Sequence, residues 1–269
     1  MRCLTLADAL RDHGAQCTFI CREHDGNLID LIAQRGHVVR ALPEIDSEMK
    51  PSKGDPVHAS WLGADWETDA SDTRRQLGNE SFDWLVVDHY ALDHRYEAAL
   101  RPACKRIMVI DDLADRRHDC DLLLDQNYGS SAVRYEGLVS EHCMQKHGPG
   151  YALLKPVYAE RRKRLRTRTG VIDRVLIYFG GGPDAADLTG MTVQAFTAPD
   201  LATIELDVVV GTAYAHKAAL DAAVVQRGRV TIHTQLPNLA GLMARADLAI
   251  GAGGATTWER CCMGLPSVV

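Results

Sequence analysis

Hydrophobic and polar positions follow two alternating rhythms along this chain. Leu4, Ala7 and Leu10 recur at helical spacing and run to Gly14, a helix-stop residue, after which "QCTFICR" reads as a short buried strand. The exchange continues with a helix over "DGNLIDLIAQRG", a strand over "HVVRALP" closed by Pro43, and a polar stretch to about residue 53 that reads as a surface loop. Beyond the isolated "WLGADW", "DWETDASDTRRQLGN" and "DHRYEAALRPAC" are helical in pattern. Three apolar runs, "FDWLVVDHY", "KRIMVIDDLAD" and "DLLLDQNYG", each break sharply into polar residues, as central parallel strands do at a sheet edge. In open α/β sheets ligands sit beyond the carboxyl ends of the strands, so the tips "DHY", "DD" and "DQN" are expected on one rim.

The basic stretch "AERRKRLRTRTG" separates this half from a second and reads as a solvated linker helix. The series then restarts. "RVLIYFGGG", "IELDVVVG", "RVTIHTQL", "DLAIGAGG" and "PSVV" are strands, alternating with helices over "DAADLTGMTVQAF", "AHKAALDAAVVQRG", "PNLAGLMARA" and "TTWERCCMG". Alternation at this spacing means βα units on parallel sheets. The expected architecture is α/β, with two Rossmann-like domains whose parallel sheets face a cleft. Their bounds are 1–153 and 171–269, with the linker helix over 154–170. An α/β chain normally feeds its opening helix from a preceding strand and loop, and neither is found here, so the first domain is expected to lack its first strand.

Composition narrows the function. The 269 residues are 46% hydrophobic, ample for two packed cores, and the net charge of −6 lacks the basic surplus of a nucleic-acid or anionic-lipid binder. No apolar run reaches membrane-span length and no leader pattern is present, so a cytoplasmic protein is expected. The eight cysteines form no CxxC pair and read as buried reduced thiols; no metal and no cofactor are expected.

Two glycine turns carry the clearest chemistry. "LIYFGGGPDAADLT" sets Gly180, Gly181 and Gly182 between a strand and a helix. Here the backbone can approach a ligand closely, and the helix N-terminus is expected to offer N–H groups to a phosphate. A tight βα turn is the plain alternative, and the spacing matches neither the dinucleotide fingerprint nor the P-loop. "LAIGAGGATTWE" repeats the device with Gly253, Gly254 and Thr256, followed by Glu259, which suits either a helix cap or a grip on ribose hydroxyls. Two such turns in one half point to a nucleotide. At the other rim, Asp88, His89 and Tyr90 can serve as acid, base or sugar contact, or as structural polar groups. Asp111 and Asn127, at neighbouring tips, are candidates to touch substrate.

The motifs "MRCLTLADAL", "WLGADWETDA", "VVDHYALD", "VIDDLADRRHDCDLLLDQN", "YEGLV", "GPGYALLKP", "YFGGGPDAADLT" and "GAGGATTWERCCMGLPSVV", in order through nearly the whole chain, resemble the UDP-2,4-diacetamido-2,4,6-trideoxy-β-L-altropyranose hydrolases of the pseudaminic acid pathway. That family has the GT-B fold and is similar to the peptidoglycan N-acetylglucosaminyltransferases. The resemblance implies a UDP-sugar substrate, from which water attacking the anomeric carbon expels UDP. It also implies that the diphosphate lies near Gly181 and Gly182, that the ribose lies on Glu259, and that Tyr90 is an active-site tyrosine. Arg2 fits the arginine of the family's GxGHxxR loop, whose histidine is taken as the base. The resemblance then implies a chain shortened at both ends, without the first strand, the loop and the histidine, and poorly stable or prone to oligomerise, its oligomeric state otherwise open. A GT-B glycosyltransferase and a catalytically inactive UDP-binding fragment are the alternatives, and fold alone does not choose among them.

Overall fold

The structure, a computed structural model, describes residues 1–24, 26–45 and 52–269. Most of the expected polar loop falls at 46–51, outside the described residues. The chain divides into two units, Met1–Leu153 and Leu154–Val269.

The first unit opens with helix α1 (Arg2–Asp12), strand β1 (Thr18–Arg22), α2 (Ile29–Gln34) and β2 (Val38–Leu42). A single 3₁₀ turn over Ala59–Leu62 follows, then α3 (Trp66–Leu77), β3 (Phe82–Val87), α4 (His94–Leu100), β4 (Cys104–Ile110), β5 (Leu122–Asp125) and β6 (Met144–His147). Local chemistry sets the helix starts. The Asp65 carboxylate accepts the Thr68 backbone N–H at 2.7 Å, and Asp93 does the same for Arg95 at 2.9 Å, satisfying donors that the first turn leaves free.

The strands of this unit form two parallel sheets, β1-β2 and β3-β4-β5-β6. Among the described residues β1 pairs with β2 alone and β3 with β4 alone, so each carries one open edge. The run "FDWLVVDHY", expected as a central strand, is therefore an edge strand, with Trp84 left 42% exposed. Strand β6 had no counterpart in the sequence pattern: "MQKH" has no apolar run, and its pairing with β5 places His147 opposite Asp125. The core gathers Leu100, Ile107, Leu123 and Tyr135, all fully buried.

The second unit carries α5 (Pro156–Arg162), β7 (Arg174–Ile177), α6 (Leu188–Ala195), β8 (Glu205–Val209), α7 (Lys217–Arg227), β9 (Val230–His233), α8 (Ala240–Arg245), β10 (Leu248–Ile250), α9 (Ala255–Cys262) and β11 (Ser267–Val268). Its parallel sheet runs β11-β10-β7-β8-β9. Period-two alternation in β7 buries both faces: Val175 and Ile177 join the core under α6 and α7, while Leu176 joins that under α8 and α9. From β7 the chain builds outward through β8 and β9, then returns to β7's other side with β10. That reversal makes the β7/β10 seam a topological switch point, where open α/β sheets place their ligands.

The basic segment is not a solvated linker helix. Its helix ends at Arg162, and Arg162, Arg166 and Arg168 are engaged within the second unit. Arg168 donates to the carbonyls of Met243, Ala246, Met263 and Gly264 at 2.8–2.9 Å, and Arg162 donates to the Cys262 carbonyl. Cations here satisfy the orphan carbonyls that end α8 and α9.

Candidate functional site

Adjacent parallel strands bring the tips of β3, β4 and β5 side by side, as expected. Arg2 ties two of them together. Its Nε donates to both Asp88 oxygens at 3.0 and 3.1 Å, and its Nη1 reaches Asp112 at 3.4 Å. Burial disfavours its charge, but the Asp88 hydrogen bond and the two carboxylates outweigh that and raise its pKa. The Cys3 thiol also donates to Asp88, at 3.1 Å, so this carboxylate is saturated.

The neighbouring residues divide in role. His89 Nδ1 accepts the Ala91 N–H at 3.1 Å, and burial lowers its pKa. The ring is thus neutral, with its proton on Nε2, and can donate but has no free lone pair. Burial, with the Asp112 carboxylate beside it, pushes the Tyr90 phenol up to about 12, so it stays a donor at neutral pH. Asp111, expected to touch substrate, is instead fully buried: it pairs with Arg116 at 2.8 Å and accepts from Tyr135 Oη at 3.0 Å and the Ala114 N–H at 2.9 Å. Asp112, its neighbour, holds the rim position. Asn127 is half-buried, and its side-chain amide makes no hydrogen bond to the described residues.

The sequence reading missed an aromatic group at this rim. His58 lies 4.3 Å from Trp61 by ring centroids, and both face Tyr90, at 5.8 and 6.1 Å. Trp61 is 58% exposed, and the unexplained "WLGADW" was the signal.

In the second unit the two glycine turns meet at the β7/β10 seam. A Cβ at Gly251 would collide with the Tyr178 carbonyl, and one at Gly211, after β8, with that of Gly181. The glycines allow the strand ends to close up. The turns then differ. After Gly180–Gly182, the Leu188 and Thr189 N–H groups donate to Asp184 at 3.0 and 2.9 Å, and that of Gly190 to Asp187 at 3.0 Å. The α6 N-terminus, expected to offer free amides, is therefore already occupied by carboxylates. The α9 N-terminus has no side-chain cap: Gly254, at φ 115°, precedes Ala255 and Thr256, whose amides make no hydrogen bond to the described residues. Glu259 lies one turn on, half-buried, and burial raises its pKa against the opposing hydrogen bond from Tyr158 of α5. The Leu239 N–H in turn donates to Tyr158 Oη at 3.2 Å.

Among the described residues no group of three or more His, Cys, Asp or Glu is placed to hold a metal ion, and no helix is long and apolar enough to cross a membrane.

Two Rossmann-like α/β units with parallel sheets make this a GT-B-type fold. The crystal structure of Acinetobacter baumannii MurG covers 99% of this chain and is itself covered over 73%, with a TM-score of 0.52 at 13% identity. No family model matches the chain. Three relatives align with parts of it. An uncharacterised Methanocaldococcus jannaschii protein is 22% identical over 209 residues, 75% of this chain and 43% of its own length. The spore coat polysaccharide biosynthesis protein SpsG of Bacillus subtilis is 26% identical over 149 residues, 55% of this chain and 43% of its own. The UDP-2,4-diacetamido-2,4,6-trideoxy-beta-L-altropyranose hydrolase of Campylobacter jejuni is 32% identical over 93 residues, 34% of each chain. The chain thus spans less than half the length of these relatives.

Proposed function

We propose that this chain carries the UDP-sugar site of a nucleotide-sugar hydrolase, one that releases UDP from UDP-2,4-diacetamido-2,4,6-trideoxy-β-L-altropyranose. The observation that carries the reading is the uncapped α9 N-terminus, set in a glycine turn at the switch point with Glu259 one helical turn on. Amides at such an end bind a diphosphate, and a carboxylate at that distance suits ribose hydroxyls. The Campylobacter relative's name supports the choice of substrate.

In this reading water adds to the anomeric carbon and loses a proton to solvent, the bond to the β-phosphate oxygen breaks, and the electron pair leaves with UDP. The amides of Gly253, Gly254 and Thr256 stabilise the charge that develops on the leaving group. Within the first unit, Tyr90, His89 Nε2 and the Asn127 amide are donors suited to sugar hydroxyl and acetamido groups, and Trp61 offers an exposed ring. Asp88 fixes Arg2 and is a positioning group rather than a free base. The eight cysteines, all unpaired thiols, suit a cytoplasmic enzyme.

The test is UDP release from that UDP-sugar, on this chain and on a version extended at its N-terminus with the family's glycine loop and histidine. Release of UDP and free sugar without an acceptor supports the hydrolase. Release only when an acceptor hydroxyl is supplied favours a glycosyltransferase, and UDP binding without turnover in either form favours a binding remnant.

A further inference from the structure

The glycine turn after β10 covers a buried charge that has no ion-pair partner among the described residues. Three arginines are nine-tenths buried or more: Arg22, Arg116 and Arg260. Arg22 pairs with Asp69 and Asp72, and Arg116 with Asp111 and Asp115. Arg260, 4% exposed, has no carboxylate at ion-pair distance among the described residues. Its Nη2 donates to the Ala252 carbonyl at 3.1 Å and to Thr257 Oγ1 at 3.2 Å, its Nε has no partner, and its Nη1 lies beneath Gly251. A guanidinium stays protonated in a protein, so this charge is held out of water with no ion-paired carboxylate, only the more distant field of Glu259.

The fork also orients the turn. In a trans peptide the carbonyl and the next N–H point in opposite directions. With the Ala252 carbonyl held inward by Arg260, the Gly253 N–H points outward, beside the uncapped amides of α9. We infer that Arg260 is the positioning residue of a diphosphate subsite: it aims the Gly253 amide at the anion from below, and the bound diphosphate supplies the missing negative charge. This rests on the UDP reading above. Burial lowers the pKa of Arg260, and the nearby Glu259 charge only partly opposes this.

The experiment compares UDP, uridine and inorganic pyrophosphate by calorimetric titration of the full chain, with and without Arg260→Gln. Glutamine can still donate to the Ala252 carbonyl but carries no charge. The variant is expected to weaken UDP and pyrophosphate about tenfold or more while uridine changes by less than about twofold. Equal losses for UDP and uridine, or no loss, overturn the inference and leave the UDP reading standing. A wild-type chain that does not bind UDP overturns both. Should far-UV circular dichroism show the variant unfolded, the wild-type Arg260 Nε–H resonance decides: it shifts with UDP and pyrophosphate but not with uridine. A resonance that stays still while other second-unit signals respond to UDP overturns the inference.

Discussion

The Asp184 carboxylate accepts the Thr189 backbone N–H at 2.9 Å through one oxygen and the Leu188 N–H at 3.0 Å through the other. The helix behind the triple glycine therefore begins with its donors satisfied, and a phosphate there would compete with a built-in anion. Asp184→Ala is expected to cost the second unit about 1 kcal/mol, comparable to losing a helix-capping carboxylate, with no loss of UDP affinity. Thr256→Val keeps the amide but removes the hydroxyl beside it at the uncapped α9 end, where a hydroxyl can also donate to a diphosphate, and is expected to lower UDP affinity with little loss of stability. Urea denaturation and UDP titration of both variants check the assignment, and a UDP affinity that falls in the Asp184 variant would return the diphosphate to the first turn.

The same contrast shows what was legible in the sequence. The apolar run Val175, Leu176 and Ile177 announced the second unit's sheet, and the polar tips at Asp88, Asp112 and Asn127 announced the rim of the first unit's. Each of these signals is local. What stayed hidden depends on partners far along the chain. Asp184 reads like part of a phosphate loop until its own helix amides are seen on it. Arg168 reads as solvated charge until four carbonyls from about 75 to 96 residues away converge on it. Arg260, two residues past an exposed-looking "TTW", gives no sign of burial because helical phase alone does not say which face a glycine turn will cover. Strand β6 was missed because an edge strand buries too little to need an apolar run.

Glu259 gives a pH signature. Burial raises its pKa, and the Tyr158 hydrogen bond opposes that rise. A ribose grip needs the ionised carboxylate, so uridine affinity is expected to be full above this raised pKa and to fall about tenfold per pH unit below it. Tyr158→Phe removes the opposing hydrogen bond and moves the midpoint to higher pH. Titrations of uridine across the acid range check this, and a midpoint that does not move in the variant would separate Tyr158 from Glu259.

Asp207 makes a prediction for stability. It is fully buried in β8, where Arg174 at 3.2 Å, His233 at 2.8 Å and Arg245 at 2.9 Å converge on it. Burial alone would raise its pKa, but the hydrogen bonds from Arg245 and His233 and the Arg245 charge more than reverse this, leaving it below its ordinary value. A depressed folded-state pKa contributes stability that is complete above the unfolded value and is lost as pH falls through the folded one. Asp207→Asn is expected to destabilise the second unit by about 2 kcal/mol at neutral pH. The gap from wild type should close as pH drops below about 4, a trend that denaturant midpoints at several pH values will reveal.

The open edges of β1 and β3 carry the last prediction. Each presents a row of backbone donors and acceptors that no strand among the described residues pairs, and on β3 the partly exposed Trp84 adds apolar surface beneath Arg106. Unblunted edges template association with a second copy. Light scattering on fractionated protein is expected to show a mass that rises with concentration. Trp84→Lys sets a charge on the β3 edge while leaving the buried Ile107 and Leu123 core untouched, so it should shift the mass toward the monomer. A concentration-independent monomer with a single sharp melt would mean that these edges are shielded in solution. Retained association in the lysine variant would point instead to β1, where a matching charge substitution is the next step.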